Sequence, residues 1–448
     1  MAWKYSLADL AAAIGIDPPE TGAEFSSVST DSRTLRPGDV FFALTGEHFD
    51  GNAFVEPAFE KGACAAVTTR QHPEEGPCLI VDDPLGALQR FARWHREQFT
   101  LPLLAITGSC GKTTAKDLIA GLLETKYKTI KTQGNLNNDI GVPLSLMGID
   151  KSTERGVIEM GANHSGEIAA LCQLARPTES AITMIAPAHL EGFGSIENVA
   201  AAKAEITQGL GPDGVFYVNT DDPRCVRIGE AFEGECVRFG SGGDVRLERR
   251  ETLPSGETLL EITHVGPLAL PMPCPAHAAN VLLAAAVGLR HGVEEFEAPL
   301  RKVLESAARF RAFRVGPWEV LDDTYNANPA SMRAALDALA ERPNDGWRVA
   351  ALGDMLELGE ASHDLHRELG REAAARGVSH LFVRGAFAGD VAAGALEAGG
   401  AHAETIDAHE DIAAAIQALD ARGGTVLVKG SRGMRMEEVI AALRRAYE

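Results

Sequence analysis

Short apolar runs recur along the chain, separated by segments in which apolar residues fall three and four positions apart. LLAIT at 103–107, GVIEM at 156–160, SAITMIA at 180–186 and GVFYVN at 214–219 carry no polar alternation, so they read as strands buried on both faces. The stretches between them have helical spacing, and strand-helix alternation predicts a parallel sheet wound with helices. The rhythm restarts at Trp318. WEVLDDTY, WRVAALGD, HLFVRG and TVLVKG alternate with helical patterns near residues 331–340, 363–376, 387–397 and 411–421, which predicts a second, doubly wound sheet. Ahead of both, DVFFAL, AAVTT and CLIVDDP suggest a smaller α/β unit. The expected organisation is α/β in three domains: 1–83, 84–312 opening with the helix LGALQRFARWHREQF, and a Rossmann-like 313–448. A length of 448 residues suits three domains of ordinary size.

The run into Leu103–Thr114 changes the picture from architecture to chemistry. LLAITGSCGKTT is a strand, a glycine turn and a helix start. Gly108 and Gly111 reach backbone conformations closed to other residues, so the amides of Gly108, Ser109, Cys110, Gly111 and Lys112 can converge on phosphate oxygens. Lys112 supplies a cation, and Thr113 or Thr114 a hydroxyl for magnesium. The common phosphate loop has a glycine five residues before Gly111; this chain has Ile106, so the loop is a shortened form. The predicted element is the phosphate loop of a central ATP-binding domain.

Charge and composition then remove partners. A formal net charge of −21 argues against general affinity for nucleic acid or anionic lipid, so an anionic substrate must be held by local cations. No apolar run reaches the roughly 20 residues of a membrane span, and MAWKYSLADL lacks the apolar core of a signal peptide. A cytoplasmic protein, acting as a monomer, is expected. Seven irregularly spaced cysteines do not suggest a disulfide framework or a zinc site.

Four further positions carry candidate chemistry. Glu159 ends the strand GVIEM, placing a carboxylate at the ligand-binding edge of a parallel sheet; it reads as a magnesium ligand or as a strand-end carboxylate in solvent. His189, in APAHLEGFGS, follows the next strand and is a structural histidine or a ligand. Lys203, in AAAKAEI, reads as an exposed helix lysine, or as an amine carrying a carbon dioxide adduct that could ligate magnesium. Asn280, in PAHAANVLLAAA, could cap a helix or contact a nucleotide base.

TGSCGKTT, NLNNDIGVP from Asn135, EMGANHSGEI from Glu159, APAHLEGFGS, AKAEI and HAAN together resemble the Mur ligases, which build the peptide stem of peptidoglycan. DDTYNANPASM from Asp322, LGDMLELG from Leu352 and VKGSR from Val428 resemble the branch that adds D-alanyl-D-alanine. STDSRTLRPGDVFFAL and GEHFDGNAFV extend the resemblance to the N-terminal region. The resemblance implies that Gly108–Thr114 hold the ATP phosphates, and that Thr113 and Glu159 ligate one magnesium ion. Glu159, His189 and a carbamylated Lys203 would lie near a second. Asn280, Asp323 and Arg309, or Arg311 in its place, match nucleotide-contacting positions. Ser29, Thr30, Asp31, Ser32 and Arg33 match the site for the uridine diphosphate end of the substrate. Asn135 and Asn138 lie near the reacting groups, and Asn326 and Asn328 where the dipeptide enters, with a helix cap as the other use of an asparagine there.

The implied reaction is ATP-dependent amide formation between UDP-N-acetylmuramoyl-tripeptide and D-alanyl-D-alanine through an acyl phosphate. Lys112 and the magnesium ions would neutralise charge as the substrate carboxylate attacks.

Overall fold

The computed structural model describes residues 3–46, 49–72, 76–253, 255–272, 274–306, 310–343 and 345–448. Two six-stranded sheets dominate it, with a four-stranded parallel sheet toward the N-terminus. In the central sheet the spatial order is Thr129–Lys131, Arg155–Glu159, Leu103–Thr107, Glu179–Ile182, Val215–Asn219 and Glu235–Phe239, all parallel. Every residue of Leu103–Thr107 is buried, because helices cover both faces of the sheet. On one side Leu118, Ile119 and Leu122 of the helix Lys112–Leu123 pack with Val281 and Leu283 of His277–Arg290. On the other, Ile168 and Leu171 of Glu167–Ala175 pack with Val199 and Ile206 of Ile196–Gln208.

The strand expected through residue 186 stops at Ile182. Thr183 makes one more backbone bond to Thr107 O, and then Ile185 N donates to Asp222 Oδ2 and Ala186 N to Ser109 Oγ. The chain therefore leaves the ladder to brace the phosphate loop. An antiparallel sheet of Leu247–Thr252, Thr258–Ile262 and Gly266–Leu270, which the apolar pattern did not announce, packs Leu260 and Leu268 under the helix Glu297–Ser306 and its neighbours.

The C-terminal sheet has the order Arg311–Val315, Trp318–Asp323, Gly424–Lys429, Trp347–Gly353, His380–Arg384, His402–Thr405. All pairs are parallel except the first, an antiparallel hairpin. The expected boundary at residues 312–313 falls inside that hairpin. Leu336, Leu369 and Val391 pack on one face, and Ile412, Val439 and Leu443 on the other. The N-terminal sheet, Val28–Ser29, Val40–Phe42, Ala65–Thr68 and Cys78–Ile80, is parallel throughout. Its core includes Ala87, Leu88 and Phe91 of the helix Pro84–Glu97. Among the described residues no helix is long and apolar enough to cross a membrane.

Candidate active site

The carboxyl ends of the central strands and those of the C-terminal sheet line one cleft of about 860 Å³. At its base the phosphate loop takes the form its glycines permit. Gly108 has φ +145° and Gly111 φ +82°. A Cβ on Gly108 would lie 2.0 Å from Thr183 Oγ1, and one on Gly111 2.7 Å from Asn280 Oδ1. No side chain caps the helix Lys112–Leu123, so its first amides face the cleft as an anion site. Lys112 Nζ folds back 2.7 Å from Gly108 O. Cys110 and Thr114 also line the cleft. Ser109 differs: its hydroxyl is buried and bonded to both the N–H and the carbonyl of Ala186, so it offers a ligand its backbone only.

Glu159 is 1% exposed at the end of its strand, which rules out the solvent-exposed carboxylate. Thr113 Oγ1 donates to Glu159 Oε2 at 2.9 Å, and Asn137 Nδ2 to Oε1 at 2.7 Å. Lys116 Nζ lies 3.8 Å from Oε2. Asn137 and Lys116 were not singled out in the sequence. Their signal was the position of Asn137 within NLNND and of Lys116 one turn after Lys112, and neither spacing says which way a loop turns. Asn135 is exposed and lines the cleft, as does Asn138, whose Oδ1 accepts from Gly141 N, the first residue of the helix Gly141–Leu146.

Lys203 overturns the reading of an exposed lysine. It is 2% exposed, with Nζ 5.6 Å over the Phe193 ring. Burial, reinforced by the charge of Lys112, pushes its pKa down to about 7. His189 stands at φ +51°, and its Nδ1 is 2.5 Å from Glu357 Oε2. Burial lowers its pKa; Glu357 opposes that shift, and Lys112 and Lys203 add to it. His189 thus sits between a carboxylate and the two amines of Lys112 and Lys203.

The C-terminal wall is stitched together by its own side chains. Lys429, 1% exposed, holds Asp323 Oδ2 at 2.5 Å and Asn326 O at 2.7 Å. Asn326 Oδ1 accepts from Ala327 N. Asn328 caps the helix Pro329–Glu341 by accepting from Ser331 N at 2.9 Å, and its Nδ2 donates to Ser109 O at 3.2 Å. The cap use of this asparagine is thus realised, and the same side chain reaches the phosphate loop. Asn280 is no cap: it lies inside the helix His277–Arg290, with its amide against Gly111. Arg309 lies outside the described residues, and Arg311 pairs with Asp322 at 2.7 Å. Ser29, Thr30, Asp31, Ser32 and Arg33 do not line this cleft. They form a turn at the end of the strand Val28–Ser29, where the Arg33 side chain and amide hold the Asp31 carboxyl down to about 2.

Among the described residues no three His, Cys, Asp or Glu side chains converge as a metal cage. Glu159 and Thr113 offer two adjacent oxygens, the protein share expected for magnesium completed by phosphate and water. A glycine-cradled loop with a hydroxyl and a carboxylate beside it, facing a second wall across one cleft, is the arrangement of an ATP-dependent ligase.

Comparison with known proteins agrees. Residues 24–85 match the Mur ligase family catalytic domain, 106–288 the Mur ligase middle domain and 308–432 the Mur ligase glutamate ligase domain. The chain belongs to the Mur ligase family. It is 37% identical over 429 residues to the UDP-N-acetylmuramoyl-tripeptide–D-alanyl-D-alanine ligase of Escherichia coli K12, covering 93% of each chain. The Bacillus subtilis ligase of the same name is 33% identical, over 93% of this chain and 92% of its own. A crystal structure of MurF from Acinetobacter baumannii superposes with a TM-score of 0.89 at 33% identity, covering 99% of both chains. MurF from Thermotoga maritima in complex with ADP gives 0.81 at 28% identity, over 94% of this chain and 97% of that one.

Proposed function

We propose that this chain joins D-alanyl-D-alanine to UDP-N-acetylmuramoyl-tripeptide, with ATP converted to ADP and phosphate. The observation that carries this reading is the cleft itself. Glu159, Thr113 and the glycine-cradled loop occupy one wall, and the other wall is built from the segments at Asp322, Leu352 and Val428 whose motifs resemble the D-alanyl-D-alanine-adding branch, in a chain 37% identical to a ligase of that name.

In this reading the backbone from Gly108 to Thr114, with Lys112, holds the phosphates, and Asn280 and Asp323 contact the nucleoside. Thr113 and Glu159 hold a magnesium ion, which supplies charge neutralisation at the transferring phosphoryl group. The tripeptide carboxylate attacks that group, and the resulting acyl phosphate is attacked by the dipeptide amine, releasing phosphate. Lys112 stabilises the charge that develops, a positioning and electrostatic task. Asn137 and Lys116 hold the Glu159 carboxylate in place. Ser29 to Arg33 receive the uridine diphosphate end, Asn135 and Asn138 flank the acceptor, and Asn326 and Asn328 shape the dipeptide wall.

Lys203 acts in this proposal as a carbamate. With a pKa of about 7, much of the amine is neutral near physiological pH and able to attack carbon dioxide. The new N–C bond forms as the nitrogen sheds a proton, leaving an anion between Lys112 and the His189 side of the site, where a second magnesium ion would be ligated. We assign the working units to residues 1–83, 84–310 and 311–448, the second junction being moved from the expected 312–313 to a point ahead of Arg311 so that the hairpin stays whole. The enzyme acts as a cytoplasmic monomer. ADP release, followed with the UDP-tripeptide and D-alanyl-D-alanine added singly and together, tests the proposal. Sustained turnover is expected only with the pair, and turnover independent of the dipeptide would refute it.

A further inference from the structure

Two loops of the C-terminal wall, 355–358 and 431–434, are laced into one surface. Ser431 N donates to Asp354 O at 3.0 Å, Leu356 N donates to Ser431 Oγ at 2.9 Å, and a Cβ on Gly433 would stand 3.1 Å from Leu356 Cδ1. At the junction, three side chains line the cleft in exposed positions. The Glu357 side chain is 58% exposed, Leu356 42% and the Arg432 side chain 65%. Glu357 is held at φ +64°, a conformation that costs a non-glycine residue energy and is retained where a side chain must be aimed. Its backbone carbonyl accepts from Glu191 N at 3.2 Å, so the loop is docked on the segment carrying His189.

Only two carboxylates from the C-terminal region line the cleft among the described residues, Asp323 and Glu357. Asp323 is neutralised by the buried Lys429. Glu357 touches His189 Nδ1 at 2.5 Å with one oxygen, while its side chain stays 58% exposed at the rim of the cleft. It is therefore the carboxylate available to a cationic group arriving on this wall. Arg432, on the adjoining loop, presents a guanidinium to the same cleft while touching Glu437 at 3.0 Å.

We infer that Glu357 and Arg432 recognise the two ends of the incoming zwitterionic dipeptide, Glu357 its ammonium and Arg432 its carboxylate, with Leu356 covering its apolar middle. The inference rests on the function proposed above and assigns the specificity of its second substrate. It also gives the ammonium a station next to His189, on the side of the cleft where the acyl phosphate must form. A planar guanidinium suits a terminal carboxylate because two parallel N–H bonds can form.

The test compares wild type with Glu357→Gln, Glu357→Asp and Arg432→Met. It measures KM for D-alanyl-D-alanine, ATP and UDP-tripeptide, inhibition by N-acetyl-D-alanyl-D-alanine, and melting temperature. Glu357→Gln and Arg432→Met should each raise KM for the dipeptide about ten-fold to a hundred-fold, the worth of a hydrogen bond to a charged group. The ATP and UDP-tripeptide constants should stay within about two-fold, and Glu357→Asp should recover part of the loss. Wild type should bind the N-acetylated dipeptide, which lacks the ammonium, far more weakly than the free one, and Glu357→Gln should lose that discrimination. Unchanged dipeptide KM and unchanged discrimination in folded variants of an active enzyme overturn the inference alone. So does a fall in kcat with dipeptide KM intact, which would make Glu357 a prop for His189. Wild type that cannot turn over the pair overturns the proposed function and this inference with it.

Discussion

The two sheet edges that share the cleft are built on different principles. On the central edge, backbone sets the shape: glycines at φ +145° and +82° leave room where any side chain would collide, and the helix start is left without a side-chain cap. On the C-terminal edge, side chains do the fastening: Lys429 holds the Asp323 carboxylate, Asn328 the Ser331 amide and, across the cleft, the Ser109 carbonyl, and Ser431 the Leu356 amide. A backbone cradle recognises a group common to all nucleotides. A laced set of side chains can be altered one at a time, which suits the wall that must distinguish one amine from another.

If that contrast holds, substitutions on the two edges should fail differently. The largest effect is expected for Lys112→Ala, which should cost on the order of 3 kcal/mol or more in barrier height with an unchanged melting temperature. Steady-state rates and a thermal melt on the same preparation check this; activity within about two-fold of wild type would remove the loop from the chemistry. Lys203→Ala should be comparably inactive. Acetate or formate should partly restore turnover by occupying the position of the lost anion, and a fully active variant would return Lys203 to a packing role.

A third test concerns pH and involves neither edge. His95 is fully buried, its Nε2 donating to Ile149 O at 3.0 Å and its Nδ1 accepting from the Tyr5 hydroxyl at 3.0 Å. Burial lowers its pKa to about 4. Because the folded pKa lies below the unfolded value of about 6.5, the folded state resists protonation. The stabilisation is complete above pH ~6.5 and is lost as pH falls toward 4, by at most on the order of 3 kcal/mol. Urea unfolding of wild type and His95→Gln at neutral and mildly acid pH should show a steeper loss in wild type. Equal slopes would mean that other groups govern acid stability and would leave any acid loss of activity to the cleft.

The smallest effect, and the sharpest for the comparison, is Asn328→Ala. Loss of the cap should lower stability by about 1 kcal/mol, read from the denaturation midpoint. Because the same side chain bonds Ser109 O, the ATP constant should move together with the dipeptide constant. A change confined to the dipeptide would mean that Asn328 contacts that ligand directly.

The central edge was far more legible in the sequence than the C-terminal one, for a physical reason. A phosphate loop is local: its strand, glycines and lysine are consecutive, and continuous apolar runs mark strands buried on both faces. Pairings such as His189 with Glu357 or Asp323 with Lys429 join residues more than a hundred positions apart and leave no periodic trace. The burial of Lys203 was hidden for a related reason. Its neighbours in AAAKAEI do not reveal that Phe193 covers the amine. The early end of the strand at Ile182 escaped as well, because SAITMIA stays apolar after the backbone has turned toward Ser109 and Asp222. Resemblance to a family supplied the function that local patterning left open and named Asn135 and Asn138, which line the cleft, but not Asn137 between them, which grips the Glu159 carboxylate.

One amide group spans the cleft. Asn328 closes the first turn of its helix through its oxygen and holds the carbonyl of Ser109 through its nitrogen. Any movement of that carbonyl as the loop closes on phosphates pulls on the helix start that bounds the dipeptide wall. If, as proposed, the dipeptide settles that helix start, any effect it has on nucleotide affinity must be returned by the nucleotide in the same factor. The Asn328 side chain is thus a short mechanical link between the two halves of the cleft, one that can register whether both are in place.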